Sequence, residues 1–349
     1  MKEKNSAYKE HLRFNSCDFS VVFQEKVRSV LGGPAALFKD TGKLQLTDNQ
    51  KRKLDDSMKV PVEEIEEKIR SQGADLISID DEDYPEELRN IYGAPMLLYM
   101  KGDRSLLGKE MFAIVGSRKI TAYGKAIASD FASKIAGSGF PVVSGLAAGA
   151  DSSAHKGAMK TGSTVAVLAT GIDLCYPAFN ELLKKEIEAK GLVLTEFFPG
   201  TSAEPFRFPV RNRIISGLSR AVLVVEARRK SGSLITAKYA IDQGREVYAV
   251  PGDINRSASE GTNFLIKNAM AHMVTDLSDI EGVSSVKPPE QEITPEEETV
   301  GKLIDEGIDN FDDLLERTGM DFGRLSELLF SLEIKNKIVK ISNNSYRGV

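Results

Sequence analysis

The chain has 349 residues, of which 41% are hydrophobic and 28% charged, with a formal charge of −5, three histidines, two cysteines and no tryptophan. That length suits two or three domains, and the composition excludes several classes. No run of 18 apolar residues is available to span a bilayer, the charged start MKEKNSAYKEHLRF argues against a signal peptide, and single scattered histidines with distant Cys17 and Cys175 argue against a zinc site. A cytoplasmic protein with free thiols, no metal and no cofactor is expected.

Taken in chain order, residues 1–75 predict a small helical, SAM-like module. Val21–Leu31 is an apolar-periodic helix stopped by Gly32-Gly33-Pro34, and Leu44–Met58 and Val62–Arg70 follow. From Leu76 short β-rich runs alternate with helices. The strands predicted are Leu76–Ile79, Met96–Met100, Met111–Val115, Pro141–Ser144, Val165–Ala169, Leu192–Thr195, Ala221–Glu226, Glu246–Val250 and Met273–Thr275. Helices are predicted over Tyr123–Ile135, Ser152–Met159, Asn180–Ala189, Leu234–Gln243 and Asn263–Asn268. Continuous apolar runs such as Ala221-Val222-Leu223-Val224-Val225 mark strands buried on both faces, so residues 76–283 predict a Rossmann-like, doubly wound, mainly parallel α/β domain. Residues 284–298, with a Pro-Pro and an acidic run, predict a linker. Residues 299–349 predict three short helices (Thr299–Asp305, Phe311–Thr318, Phe322–Leu332) and two β-segments (Lys337–Ile341, Ser345–Arg347), a winged-helix module.

The charge is unevenly spread. Residues 1–75 carry 14 basic and 13 acidic side chains, residues 76–285 carry 24 of each, and residues 286–349 carry 8 basic and 14 acidic. Within the neutral middle, residues 207–245 hold nine basic groups against Glu226 and Asp242 alone. A local basic surface on a neutral domain is compatible with a polyanion.

In an open parallel sheet, ligands bind where loops leave the carboxyl ends of the strands. There the strands deliver Gly116-Ser117-Arg118, Gly145 to Asp151, Thr170 to Pro177, Arg228-Arg229-Lys230-Ser231-Gly232-Ser233 before a helix, and Pro251-Gly252-Asp253. Small residues let backbone amides approach an anion, a helix N-terminus adds positive potential, and arginine adds a planar fork for phosphate. One such loop is ordinary turn chemistry; several on one edge make a polyphosphate track. Enzyme signatures are missing: no G-x-x-x-x-G-K-[ST], no G-x-G-x-x-G at the first turn, and no G-x-S-x-G. Asp151 and His155 are expected to be a helix N-cap and a packed helix residue.

The segments Val115-Gly116-Ser117-Arg118, SGLAAGADSSAHKGAM (144–159), TGIDLCYP (170–177), FPVRNRIISGLS (208–219), VVEARRKSGSLITA (224–237) and GREVYAVPGDI (244–254) together resemble the DNA-processing protein A family, also called DprA or Smf. The lead-in DDEDYPEELRNIYGAPMLLYMKGD (80–103) extends the resemblance. It implies a non-catalytic protein that binds single-stranded DNA, forms a homodimer through its Rossmann-like domain, protects incoming DNA in natural transformation and loads the RecA recombinase. The DNA-binding residues it implies are Gly116, Ser117, Arg118, Asn180, Lys184, Arg211, Asn212, Arg213, Arg229, Lys230, Ser231, Gly232 and Ser233. Many relatives carry an arginine in the G-L-A-R-G-I-D turn, where this chain has Ala148, so a contact from that turn is not expected here. Two competing readings are a phosphoribohydrolase-like nucleotide enzyme, whose P-G-G-x-G-T-x-x-E motif is replaced here by RKSGSLITA, and a pure interaction scaffold. The acidic winged-helix module is expected to contact protein or serve structure. With aromatics at only 7%, extensive stacking platforms are not expected, and Tyr176 or Phe179 is the candidate for a single one.

Overall fold

The computed structural model describes residues 7–283, 293–335, 337–342 and 344–348, so most of the expected linker lies outside it. The chain divides into two compact units, Met1–Ser285 and Val286–Val349. The first unit begins with helices α1 (Ala7–Ser16), α2 (Val21–Leu31), α3 (Pro34–Lys39), α4 (Asp48–Lys59) and α5 (Val62–Ser71). Then come β1 (Asp75–Ser78), α6 (Glu86–Arg89), β2 (Leu97–Gly102), β3 (Phe112–Val115), α7 (Ala122–Gly137), β4 (Val142–Ser144), α8 (Ala150–Ala158) and β5 (Thr164–Val167). They are followed by α9 (Glu181–Lys190), β6 (Leu192–Thr195), α10 (Arg207–Gly217), β7 (Ala221–Val224), α11 (Gly232–Asp242), β8 (Glu246–Ala249), α12 (Glu260–Lys267) and β9 (His272–Met273).

The nine strands form one sheet in the order β1-β2-β6-β5-β4-β3-β7-β8-β9. Pairing is parallel from β6 to β9, whereas β1 runs antiparallel to β2 and β2 antiparallel to β6. The predicted strands therefore form a doubly wound α/β sheet. The alternation of side chains along each strand feeds two layers. Ala113 and Val115 of β3 join Val222, Val224, Ile214, Ile215, Ala237 and Ala240 in a core shared with α10 and α11. Phe112 and Ile114 join Ala128, Phe131, Ala154 and Ala158 under α7 and α8. Phe14, Phe19, Phe23, Leu37 and Leu54 of the N-terminal helices belong to the same core as Ile77, Leu98 and Met100. Asn15 adds polar ties, accepting from the Tyr99 hydroxyl at 2.5 Å and donating to the Glu196 carbonyl at 3.0 Å.

Chain order reverses between β3 and β7. The chain goes from β3 outward through β4, β5 and β6, then crosses back to β7 and outward again through β8 and β9. That is the switch point at which open α/β sheets leave a crevice at their carboxyl edge. Close approach at this point demands small residues. A Cβ on Gly116 would sit 2.7 Å from Ala150 Cβ, and Gly149, at φ +82°, would drive a Cβ to 2.3 Å from the Ser117 carbonyl.

Helix α10 carries no apolar period and was not expected from the sequence. It buries Arg207, Arg211, Asn212 and Arg213 along with Ile214 and Ile215, so polar residues occupy positions that periodicity assigns to apolar ones. Pro209 stands at its third position, where the backbone N–H has no helical partner to lose. The expected N-cap role of Asp151 is also corrected. Gly149 is the cap of α8, and the Asp151 carboxylate folds back to accept from the Gly145 and Ala147 amides at 3.1 and 3.3 Å.

The second unit contains α13 (Pro295–Asp305), α14 (Phe311–Thr318), α15 (Phe322–Ile334) and the antiparallel pair β10 (Ile338–Ser342) and β11 (Ser345–Gly348). Val300, Ile304, Leu314, Leu325, Leu328, Leu329, Ile338 and Tyr346 form its own core. Among the described residues, no helix is long and apolar enough to cross a membrane.

Candidate nucleic-acid interface

A cleft of about 640 Å³ opens at the carboxyl edge between β3 and β7. It is lined by Arg118, Lys119, Arg211, Arg228 and Lys230, with Asp151 as its one acid. Arg118 and Lys119 leave β3 on a turn held by Ser117, whose buried hydroxyl accepts from the Lys119 amide at 3.1 Å while its own amide donates to the Glu226 carbonyl at 2.7 Å. Arg228 and Lys230 leave β7 and are exposed. Between them lies the N-terminus of α11. Ser231 caps it, accepting from the Ser233 amide at 3.4 Å, and the two seryl hydroxyls lie 2.8 Å apart. A Cβ built on Gly232 meets nothing within 4 Å, so this helix end is open to a ligand. An open helix N-terminus ringed by four exposed cations is suited to phosphate.

One wall is aromatic. The Arg118 guanidinium lies 4.5 Å from the Phe208 ring centroid, and Tyr176 meets Phe208 edge-on at 5.4 Å. Stacking holds the planar fork of Arg118 in place while leaving its N–H groups available.

Beneath the cations is a buried polar layer. Arg211 is 3% exposed and donates through Nη1 to the carbonyls of Gly145 (2.6 Å) and Val167, and through Nε to Asn212 Oδ1 at 3.1 Å. Asn212 in turn donates to the Gly232 carbonyl at 3.3 Å, which ties α10 to the start of α11. Burial lowers the Arg211 guanidinium to about 10, so it stays charged at neutral pH, and burial raises the Asp151 carboxyl despite the nearby Arg211. His155 is fully buried. Its Nε2 accepts from the Leu146 amide at 3.2 Å, its Nδ1 lies 2.7 Å from Thr164 Oγ1, and burial, with the Arg211 charge, pushes it down to about 3. A neutral imidazole with both nitrogens engaged is a packing element, as the sequence suggests.

A family model for the DNA recombination-mediator protein A matches residues 75–283, and one for the DprA winged helix domain matches residues 285–343. The chain belongs to the DNA-processing protein A family. It is 44% identical to the DNA processing protein DprA of Streptococcus pneumoniae over 206 residues, covering 58% of this chain and 72% of that protein. To the Bacillus subtilis DNA processing protein DprA it is 44% identical over 187 residues, 53% of this chain, and the match spans only 63% of that relative's length. The X-ray structure of the S. pneumoniae DprA superimposes with a TM-score of 0.68 at 34% identity, covering 80% of this chain and 97% of that one. A Helicobacter pylori DprA structure, described as giving insight into a unique single-stranded DNA binding mode, matches with a TM-score of 0.53 at 28% identity over 59% of this chain and 93% of that chain.

Not every residue the family resemblance implies reaches the cleft. Gly116, Ser117, Arg118, Lys230, Ser231, Gly232 and Ser233 line it, and so do Arg211 and Asn212 from below. Arg213 does not. It forms a buried pair with Glu196 (2.8 and 2.6 Å) away from this cleft. Asn180 is buried and donates to the Leu146 carbonyl at 2.8 Å and to Ser152 Oγ at 2.9 Å. Lys184 is likewise buried, donating to the Ile172 carbonyl at 2.8 Å beside Glu188 at 3.2 Å. Arg229 is exposed but lies over the Phe264 ring at 3.9 Å and does not line the cleft. Lys119 and Phe208 line it without having been singled out from the sequence, and Arg228, expected there only as one of three cations in its loop, lines it too. Lys119 was visible as the neighbour of Arg118, whereas Phe208 becomes a wall only because α10 brings it under Arg118.

Proposed function

We propose that this chain binds single-stranded DNA without acting on it, holding the phosphate backbone in the β3–β7 cleft. The observation that carries the reading is the convergence of Arg118, Lys119, Arg228 and Lys230 on the open N-terminus of α11. Support also comes from the family, one of whose members has a structure described in terms of single-stranded DNA binding. In the cell the chain then protects incoming DNA and passes it to RecA in transformation and recombination, in the cytoplasm. The absence of chemistry is supported by His155, whose two ring nitrogens are engaged by the Leu146 amide and the Thr164 hydroxyl, and by Asp151, whose Oδ2 accepts from the Gly145 and Ala147 amides. A homodimer through the Rossmann-like unit fits the short outer strand β9, beside which Ile241, Met270 and Met273 are exposed.

Titration of a labelled oligo-dT with the full chain tests the reading. Binding that weakens steeply with salt and falls by about tenfold or more in Arg118→Ala is expected, because phosphate contacts release counterions. Salt-independent binding, or release of base or phosphate from mononucleotides, would overturn it.

A further inference from the structure

We propose that Tyr176, Phe179 and Leu182 form a base-stacking platform that continues the phosphate cleft; this rests on the single-stranded DNA reading above. Phe179 and Leu182 are 73% and 74% exposed and Tyr176 48%, an unusual concentration of large apolar side chains in seven residues of chain. They are spaced three apart, over the single 3₁₀ turn Ala178–Asn180 and the first turn of α9. The opposite side of this segment is firmly held. Leu183 and Ile187 are buried, Asn180 is bonded to the Leu146 carbonyl and Ser152, and Lys184 to the Ile172 carbonyl. Asn180 and Lys184 thus act as anchors that fix which residues of the segment face outward.

Continuity with the cleft identifies the occupant. Tyr176 lines the cleft and packs on Phe208, which in turn carries Arg118, so cation and rings form one surface. Charge separates the two parts. Segment 173–186 offers Asp173, Glu181 and Glu186, against Lys185 near Glu181 and the buried Lys184. A phosphate is attracted to the Arg118–Lys230 side and repelled here, whereas an uncharged base face is accepted on any apolar ring. A strand whose backbone sits at α11 would therefore turn its bases toward Tyr176 and Phe179.

The test compares oligo-dT with an abasic oligonucleotide of equal length on the full chain. Phe179→Ala with Leu182→Ala is expected to weaken oligo-dT about fivefold or more, the effect of losing one stacked base. Its salt slope and its affinity for the abasic strand should stay at wild-type values. Because the chain has no tryptophan, Phe179→Trp supplies a single reporter. Its fluorescence should be quenched by oligo-dT and not by the abasic strand. Unchanged oligo-dT affinity in the double variant and an unquenched Trp, with Arg118→Ala still weakening binding, would overturn the platform and leave the patch to a protein partner. If Arg118→Ala also binds normally, the DNA reading fails with it.

Discussion

The Rossmann-like unit and the winged-helix unit both carry arginines and lysines, and they place them differently. In the first, Arg118, Lys119, Arg228 and Lys230 come from two loops and share a cleft with only Asp151 opposing them. In the second, Arg324 bonds to Glu296 and Glu327, Lys302 pairs with Glu298 at 2.8 Å, and Lys335 donates to both oxygens of the buried Glu297 at 2.7 Å. Helix α15, the element a winged helix would present to a groove, has Arg324 as its only cation. Non-specific DNA affinity depends on cations free to displace counterions. Arg317, Lys337, Lys340 and Arg347 of the second unit are exposed, but they stand among 14 acidic residues over 286–349, so this unit is expected to contribute little of that affinity.

The same contrast recurs inside the first unit, between cations that face the cleft and cations that hold the fold. Its largest expected effect is on stability. Glu196→Ala leaves Arg213 buried without its partner and should cost about 3–5 kcal/mol in denaturant unfolding. Oligo-dT affinity measured under native conditions should be unchanged, and a lost affinity would move Arg213 into the DNA site. Next in size, Arg118→Ala should weaken oligo-dT about 10- to 100-fold, the value of one charge-assisted contact. It should leave the unfolding midpoint in place and lower the salt slope by about 0.7.

Acid separates the two units. The folded-state pKa of His155 is lowered from 6.5 to about 3, so its contribution is present above pH 6.5 and is lost as pH falls toward 3. At Glu297 burial pushes the carboxyl up, but Lys335, Ser331 and Thr294 outweigh it and hold it at about 2, below its usual 4.5. Its contribution is lost only between pH 4.5 and 2. Urea midpoints at descending pH should show the Rossmann-like unit weakening first. His155→Gln should remove its slope between pH 6.5 and 5, and a slope that persists would show that another group sets it. The smallest expected effect is that of Lys337→Ala, Lys340→Ala and Arg347→Ala together. These exposed cations lie on the hairpin side of the acidic unit, and oligo-dT affinity should not change; a clear loss would erase the contrast between the units.

Much of this was legible in the chain itself. All nine strands of the sheet were predicted within a few residues, the central ones because both-face burial writes continuous apolar runs between turn residues, whereas β9 at the edge is exposed. The loops at the carboxyl edge followed from that order, and with them Arg118, Lys230 and the Ser231-Gly232-Ser233 turn. Helix α10 was not legible, since Arg207, Arg211 and Arg213 are buried and satisfied by partners far away in sequence.

What the sequence determined by itself was a parallel sheet with phosphate-suited loops on one edge, since strand periodicity and turn chemistry are local. Which cations face a ligand, by contrast, depends on long-range packing. Composition counts nine basic groups between 207 and 245, but Glu196, the Gly145 carbonyl and Asp18 claim Arg213, Arg211 and Arg207. A buried charge needs its partner before it can serve anything else, and that partner is set by the fold.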